Sequence, residues 1–378
     1  MRILIASDSF KGSAASSEIN EALSRGAAEA CPGAKITCIP VADGGEGTVE
    51  ALSAALGGRE VRLPVHDALG NPVEAVAARL PDGAFLLETA AAAGLPQVPP
   101  ALRNPLQTSS RGVGEMILGA LDAGCRRIYL GLGGSATHDL GMGAMSALGL
   151  CYRDARGRTL PGCGADMARV DAIDLRRLDP RLQETELILV ADVDNPLLGA
   201  RGAAAVFAPQ KGADPAMVRE LEAGTASLAE KMTEVLGRDW TEVPGAGAAG
   251  GLGAALMAFC GGVRRQGIDA VLDMADFDAR LAGTDLVITG EGRIDGQTAG
   301  GKVPLGVARR ARRAGVPVLA VVGSIAGDVS ALYQQGITSI LPIVPGPVSL
   351  EEALAGVLPM ARDAAFRGVR LAAAMRKA

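Results

Sequence analysis

The order of strand patterns along the chain constrains the fold more than any other sequence feature. Near the start, Arg2–Ala6 and Lys35–Val41 are apolar runs followed by polar loops and helical patterns, which is typical of parallel strands buried on both faces. From Arg59 to Glu88 apolar and polar residues instead alternate between turn signals, which predicts an antiparallel meander. Buried strands in βα order then return at Leu286–Thr289, Val316–Val322 and Ser339–Val344. The sequence therefore predicts an α/β fold in which a parallel sheet is interrupted by a different kind of strand.

This interruption predicts two domains, one of them inserted into the other. We expect a discontinuous parallel-sheet domain made of residues 1–58 plus 285–378, and an inserted α/β domain of residues 59–284 with mixed or antiparallel strands. A chain of 378 residues is long enough for two ordinary cores. Ligands of open α/β sheets bind beyond the carboxyl ends of the strands. We therefore expect an active site in the cleft between the two domains.

Composition excludes several classes of function. The net charge of −5 and an aromatic content of only 3% disfavour a dedicated nucleic-acid binder. The apolar run at the start is too short for a signal peptide, and no apolar run reaches the length of a spanning helix. The six cysteines show no metal-ligand spacing, which favours reduced thiols and a cytoplasmic protein. The two histidines, His66 and His138, lie in no zinc or triad motif. Carboxylates and lysines must therefore carry any catalysis.

Two loops near the start combine glycines, hydroxyls and charges at predicted strand ends. Ser9 and Lys11 lie at a strand-to-helix turn, where helix N–H groups can receive an anion. Asp43, Gly44 and Glu46 follow the second strand, where the glycines allow a ligand to approach the backbone closely. The alternative for the first loop is a capped turn with a surface lysine. Since the ends of parallel strands meet at one edge, we interpret both loops as parts of one binding site.

A glycine-rich loop, Gly131–Gly143, follows the strand Arg127–Leu130 and reads GLGGSATHDLGMG. Its start fits G-x-G-x-x-G/A, so a dinucleotide fold has to be considered. The segments before it are antiparallel and do not open a βαβ unit, and the loop adds hydroxyl groups. A cradle for nucleotide phosphates is the preferred interpretation. The residues predicted to form it are Gly133, Gly134, Ser135 and Thr137.

Two further segments offer charged groups at loop positions. Asp192 and Asp194 follow the strand Leu187–Ala191, where they could bind Mg²⁺ or activate a hydroxyl group. The alternative there is an Asx-type turn before Pro196. Lys211, in the sequence PQKG, is a candidate donor to phosphate.

The stretch Asp285–Gly306 has the pattern of an active-site loop. After the strand that ends at Thr289, Gly290 and Gly292 are expected to turn the chain sharply. The segment GQTAGGK resembles the start of a P-loop, but a valine follows it where the Mg²⁺-binding hydroxyl belongs. A charged surface loop is the alternative interpretation. The candidate site residues in this stretch are Glu291, Arg293, Asp295 and Lys302.

Taken in order, these motifs make the chain similar to the bacterial glycerate kinase family over nearly all its residues. The matching motifs are DSFKGS from Asp8, DGGEGT from Asp43, GLGGSAT from Gly131, ADVDNPL from Ala191, PQKGA from Pro209, GAGAAGGLG from Gly245 and TGEGRID from Thr289. The resemblance implies a flavodoxin-like α/β domain with a second α/β domain inserted. The family usually has ATNDGG where this chain has ATHDLG, so His138 replaces an asparagine and Leu140 a glycine.

The resemblance also implies an activity, namely phosphorylation of D-glycerate by ATP with Mg²⁺, at the 2-hydroxyl group. Phosphoryl transfer depends mainly on positioning and charge neutralisation, and this chain offers the groups for both. Predicted catalytic residues are Lys11, Asp192 and Asp295. Predicted substrate-binding residues are Ser9, Asp43, Gly44, Glu46 and Arg293. Predicted nucleotide-binding residues are Gly133, Gly134, Ser135, Thr137, Lys211 and Lys302. Predicted Mg²⁺ ligands are Asp192, Glu291 and Asp295.

Two rival functions remain open from the sequence. One is a non-catalytic regulator that binds a sugar acid or a nucleotide on a flavodoxin-like sheet. The other is a dinucleotide-dependent oxidoreductase that relies on the Gly131–Ala136 loop. The expected partners are the small molecules D-glycerate and ATP, with no nucleic acid and no membrane, and a homo-oligomer is possible.

Overall fold

A computed structural model describes residues 1–10, 12–39, 41, 56–295 and 303–376. Five predicted site residues, Lys11, Asp43, Gly44, Glu46 and Lys302, lie outside the described residues. The strands are β1 (Arg2–Ser7), β2 (Lys35–Cys38), β3 (Arg59–His66), β4 (Pro72–Arg79), β5 (Phe85–Glu88), β6 (Arg127–Gly131), β7 (Cys151–Arg153), β8 (Ala172–Asp174), β9 (Glu186–Val190), β10 (Val263–Arg265), β11 (Leu286–Ile294), β12 (Val318–Ile325) and β13 (Ser339–Pro342).

Helices follow many of these strands in the described part of the chain. They are α1 (Ser16–Ala30), α2 (Thr89–Ala93), α3 (Arg111–Asp122), α4 (Met142–Ala147), α5 (Ala203–Phe207), α6 (Pro215–Leu236), α7 (Leu252–Cys260), α8 (Gly267–Met274), α9 (Phe277–Leu281), α10 (Val303–Arg313), α11 (Ser330–Gln334), α12 (Leu350–Ala355) and α13 (Val357–Met375). Short 3-10 helices include Gly164–Arg169, Pro209–Lys211 and Ala248–Gly251. Among the described helices, none combines the length and the apolar character that crossing a membrane requires.

The chain forms two compact units, Met1–Leu52 with Gln266–Ala378, and Ser53–Arg265. The second boundary differs from the predicted one, because α8 and α9 belong to the first unit rather than to the insertion. Both helices pack near α10, whose Arg310 forms ion pairs with Asp269, Asp273 and Asp278. The local pattern of two short helices carries no sign of this long-range pairing, which only the folded chain shows.

The first unit contains a five-stranded parallel sheet in the order β13-β12-β11-β1-β2. Numbered along the unit, this is the order 2-1-3-4-5 of flavodoxin-like folds. Ile3, Ile5 and Ile288 point into a core that is completed by α1 and α13. The buried apolar strands follow from the sequence pattern, since a parallel strand covered on both faces needs apolar residues in succession. The predicted α/β class with a parallel sheet is confirmed.

Strand β11 differs from its prediction, because it continues to Ile294 and does not end at Thr289. Neither Gly290 nor Gly292 has a positive φ, so neither makes the predicted sharp turn. Close contacts with the backbone of β12 explain these glycines instead. A Cβ on Gly290 would lie 2.1 Å from the carbonyl oxygen of Val321, and one on Gly323 would lie 2.2 Å from that of Gly292. Glycine is therefore required where β11 and β12 approach each other closely.

The substitution Gly323→Ala tests this close approach. Its methyl group would overlap a backbone oxygen that cannot rotate away, so we expect the free energy of unfolding to fall by about 1–3 kcal/mol. Gly346→Ala is the matched control, because no heavy atom lies within 4 Å of a Cβ at that position. Urea unfolding of both variants checks the expectation, and equal stability of the two would contradict it.

The second unit contains a six-stranded mixed sheet in the order β10-β9-β6-β5-β4-β3. The strands β3, β4 and β5 are antiparallel neighbours, as the alternating pattern predicts. Strand β5 also pairs parallel with β6, and β6 and β9 continue the parallel part. The last strand of the meander is therefore also the first strand of a parallel array. This part follows the predicted mixed α/β character of the insertion.

Candidate active site

A cavity of about 560 Å³ opens in the first unit at the carboxyl ends of β1, β11, β12 and β13. This edge includes the point between β1 and β11 where the strand order reverses, which is the usual ligand position in such sheets. The polar residues that line the cavity are Asp8, Ser9, Ser13, Glu291, Arg293, Ser324 and Ser349. Ser9, Glu291 and Arg293 were predicted as site residues, and the structure brings these three together.

Hydrogen bonds to side chains and backbone hold the end of β1 in place. Asn20, on α1, accepts a hydrogen bond from the Ser7 amide at 3.0 Å and donates to the Ile39 carbonyl at 3.3 Å. The buried carboxylate of Asp8 accepts the Ser9 amide at 2.7 Å. These contacts position the loop that enters the cavity. Sequence reasoning did not select Asn20, because an asparagine within a helical pattern carries no sign of such a contact.

Glu291 and Arg293 extend from the same strand into the cavity. They are two residues apart on β11, so their side chains share one face of the sheet. Glu291 is 5% exposed, whereas Arg293 is exposed to solvent. Asp295 follows the end of the strand and is not among the residues that line the cavity. A carboxylate and a guanidinium are therefore held side by side on a rigid strand.

The remainder of the cavity lining is largely apolar. It comes from the segment after β13, from α12 and from the start of α13, and it includes Ile343, Val344, Val348, Leu350, Ala353, Leu354 and Val357. A capping box begins α12, because the Ser349 hydroxyl oxygen accepts a hydrogen bond from the Glu352 amide at 3.2 Å and the Ser349 amide donates to the Glu352 carboxylate at 2.9 Å. The helix is thus fixed at its N-terminus and continues, after Gly356, into α13.

In the second unit, the glycine-rich loop after β6 covers a buried lysine. The ammonium group of Lys211 donates to the Ser135 hydroxyl at 2.8 Å and to the Thr137 carbonyl at 2.7 Å. Lys211 is 2% exposed, and burial lowers its pKa to about 7. Ser135 and Thr137 are also buried, whereas Gly133 and Gly134 are exposed. The side chains of Ser135 and Lys211 therefore take part in bonds that hold the loop itself, whereas Thr137 contributes its backbone carbonyl to them.

Asp139 fixes the second half of the same loop. Its carboxylate accepts hydrogen bonds from the Ser110 amide and hydroxyl, both at 2.8 Å, and from the amides of Gly141 at 3.0 Å and Gly143 at 3.2 Å. Burial raises the pKa of this carboxyl group, and these four donors oppose that rise. The carboxylate is therefore a structural anchor of the loop.

Both departures from the family pattern lie beside Asp139. His138 is fully buried, and its Nε2 lies 3.1 Å from the Thr225 hydroxyl. Burial lowers its pKa to about 3, so the ring stays neutral at physiological pH. Leu140 has φ of 47°, a left-handed conformation that favours glycine and that costs other residues roughly 1–2 kcal/mol. Its side chain is buried, which offsets part of this strain.

Asp192 and Asp194 lie on an exposed loop after β9. Asp194 forms an ion pair with Arg264 at 2.5 Å. The same guanidinium donates to the carbonyl groups of Ala191 and Val193 at 3.1 and 3.2 Å. Arg264 therefore holds this loop, a role that sequence reasoning missed. The pairing of β10 beside β9 supplies the contact, and only the sheet order reveals it.

The donor groups present are suitable for Mg²⁺. Within the described ranges, no three His, Cys, Asp or Glu side chains cluster in a way that could hold a metal ion. Mg²⁺ in kinases needs no such cluster, because one or two carboxylates and the phosphate oxygens of the substrate complete its coordination. Asp8 and Glu291, both lining the cavity, are donors of this kind.

The comparison with family models decides the relationship. Residues 3–372 match the model of the glycerate kinase family. The chain belongs to this family. It is an enzyme, a phosphotransferase, and the family supports phosphorylation of glycerate as its activity.

Individual relatives agree with this assignment. The chain is 46% identical to a glycerate kinase of Bacillus subtilis over 93% of both chains. It is 44% identical to a glycerate 2-kinase of Escherichia coli over 94% of both. A crystal structure assigned as glycerate kinase 2 from Salmonella typhimurium LT2 superposes with a TM-score of 0.86, at 43% identity over 100% of both chains. Family membership favours the kinase prediction over the regulator and the oxidoreductase.

Proposed function

We propose that this family member transfers the terminal phosphoryl group of ATP to the 2-hydroxyl group of D-glycerate in a reaction that requires Mg²⁺. The observation that carries the proposal is the pairing of Glu291 and Arg293 in one cavity at the carboxyl ends of the parallel strands. A carboxylate can hold a divalent cation there, and a guanidinium can bind a carboxylate or a phosphate group. The 2-position is supported by the name of the Escherichia coli relative.

Individual roles follow from the chemistry of each group. Arg293 and Ser9 bind the glycerate carboxylate, since a guanidinium and a hydroxyl group are suitable donors to it. Glu291 and Asp295 hold Mg²⁺, which when bound neutralises charge on the phosphates. Asp192, exposed to solvent in the second unit, remains the predicted residue that orients the glycerate hydroxyl group or accepts its proton, and a predicted Mg²⁺ ligand. Lys11 remains the predicted phosphate or carboxylate clamp and lies outside the described residues.

A direct assay tests the function. Purified protein is incubated with ATP and Mg²⁺, and ADP release is measured with D-glycerate, L-glycerate, tartronate semialdehyde and glycerol. We expect D-glycerate to be the best acceptor and a chelator of divalent cations to abolish turnover. Phosphorus NMR of the product distinguishes the 2-phosphate from the 3-phosphate. Equal turnover of glycerol would overturn the proposal, because glycerol has no carboxylate for Arg293 to bind.

Arg293→Ala tests the role of the guanidinium in substrate binding. A hydrogen bond between charged groups contributes roughly 1.5–3 kcal/mol, so we expect the KM for D-glycerate to rise about 10-fold to 100-fold. Arg313→Ala is the matched control, since Arg313 is also exposed in the first unit and does not line the cavity. Steady-state kinetics with ATP and D-glycerate as varied substrates measures the KM for each. An unchanged KM for D-glycerate would show that Arg293 does not bind the acceptor.

A further inference from the structure

The cavity in the first unit is larger than the acceptor requires. Its volume of about 560 Å³ lies within the range of roughly 300–1,000 Å³ that is typical of pockets for drug-sized ligands. Glycerate is a three-carbon hydroxy acid and fills only a small part of such a space. Glycerate alone therefore leaves room in the cavity for a second, larger ligand.

The lining has a polar part and an apolar part, and together they indicate the chemistry of this ligand. Asp8, Ser9, Glu291 and Arg293 supply charges and hydroxyl groups at the strand ends. Val344, Val348, Leu350 and Leu354, which we call the aliphatic wall, supply an apolar surface. Glycerate has almost no apolar surface to bury against such a wall. A ligand that carries an apolar or aromatic part and a charged part in one molecule matches both parts of this lining.

The aliphatic wall is exposed, yet it is held in a defined position. Leu350 is 75% exposed and Leu354 is 41% exposed, although both are large apolar side chains. The capping box at Ser349 fixes the start of the helix that carries them, and Val357 just beyond it is buried in the core. Exposed aliphatic side chains on a fixed helix beside a polar strand edge form a preformed binding surface, since a ligand ring can cover them without reordering the chain.

We propose that the aliphatic wall binds the purine base of ATP, with the phosphate groups directed toward the polar residues at the strand ends. This proposal rests on the proposed function and deepens it by placing the base within the first unit. ATP fits because it joins a flat aromatic base to a polyanion, which corresponds to the two parts of one cavity. The arrangement also places the donor phosphate near Arg293 and Ser9, the groups proposed to hold the acceptor.

The second unit offers less to a base. Ser135, Thr137 and Lys211 were predicted to contact the nucleotide, but all three are buried, and Lys211 donates to the other two residues. The exposed Gly133 and Gly134 have no side chains with which to cover an aromatic ring. The aliphatic wall therefore offers an aromatic base more apolar surface than the glycine-rich loop does.

Leu354→Gln tests the proposal, because glutamine keeps the size and helix propensity of leucine but removes its apolar surface and adds no charge. Leu371→Gln is the matched control, since Leu371 is 65% exposed on α13 and does not line the cavity. Calorimetric titration measures binding of two probes, ADP and inorganic tripolyphosphate, to the full-length chain. We expect Leu354→Gln to weaken ADP binding about tenfold while tripolyphosphate binding and the melting temperature stay as in the wild type.

Other outcomes overturn the proposal in distinguishable ways. Wild-type affinity of Leu354→Gln for ADP, or an equal loss for ADP and tripolyphosphate, places the base elsewhere. Leu350→Gln is measured in the same way, because an effect on ADP binding that both variants share cannot come from a local defect of one of them. Binding of ADP is measured without turnover, so a protein that binds ADP through Leu354 but does not phosphorylate glycerate would contradict the proposed function and leave this inference intact.

Discussion

Glu291→Gln is expected to lower the turnover number about 10²-fold to 10³-fold, the usual cost of losing one preorganised electrostatic contact in a transition state. Glutamine keeps the shape and reach of the side chain but removes the negative charge that a divalent cation requires. Glu291 is buried at the edge of the cavity, where charge interactions are screened less than at the surface. Turnover and melting temperature are to be measured on the same preparation.

Two comparisons sharpen this experiment. Glu21→Gln replaces an exposed glutamate of α1 that pairs with Arg25, and we expect it to keep full activity. Asp295→Asn removes the other carboxylate proposed for Mg²⁺. The decrease in turnover that each of the two substitutions causes then shows which carboxylate is the more important ligand. If Glu291→Gln turns over normally and needs no more Mg²⁺ than the wild type, Glu291 is not a ligand of the metal.

Lys211→Met is expected to change how stability depends on pH. Burial lowers the pKa of Lys211 to about 7 from an ordinary value of 10.5, and the charge of Asp139 opposes this shift. Between these two pH values the unfolded chain binds more protons than the folded chain. The free energy of unfolding therefore rises with pH in this window, by at most about 1.4 kcal/mol per pH unit for one proton. Below pH 7 both the folded and the unfolded chain carry the proton on Lys211. The folded chain then bears the full free-energy cost of burying this charge.

Methionine has no proton to release, so the free energy of unfolding of the variant should lack this rise with pH. We expect the wild type to gain about 1–2 kcal/mol relative to Lys211→Met between pH 7 and 8.5, measured by urea unfolding. Burial also raises the pKa of Cys163 to about 11 and that of Cys260 to about 12, but both proteins contain these thiols, so their contribution to the slope cancels in the comparison. Lys231→Met is the control, because its Glu234 partner raises the pKa of Lys231. Parallel slopes for the wild type and Lys211→Met would mean that Lys211 keeps its proton throughout.

Elements with local signals at both ends agree closely with their predictions. Helix α6, Pro215–Leu236, carries such signals at both ends, because Asp214 caps its first amides and Gly237 ends it with φ of 69°. Strand β11 shows the opposite case. Its last residues, with two glycines and two charged side chains, resemble a loop locally, but pairing with β12 extends the strand to Ile294.

The same contrast holds for the candidate site. Ser9, Glu291 and Arg293 could be selected from the sequence because polar residues just after buried parallel strands gather at one edge of the sheet. The aliphatic wall could not be selected, since Leu350 and Leu354 in a short amphipathic helix resemble ordinary core residues. Their exposure depends on how α12 meets the strand ends, which local periodicity does not encode.

The amino-acid sequence by itself determined the α/β class, the parallel strands at both ends of the chain and the loops rich in charge and glycine, because these depend on contacts between near neighbours. Only the tertiary structure decided what each charged group can do. Lys211 and Arg293 are both cations at predicted loop positions, yet one is buried beneath a glycine-rich loop and the other faces a cavity. Burial sets the desolvation of a charge and its partners, and it arises from packing between segments far apart in the chain.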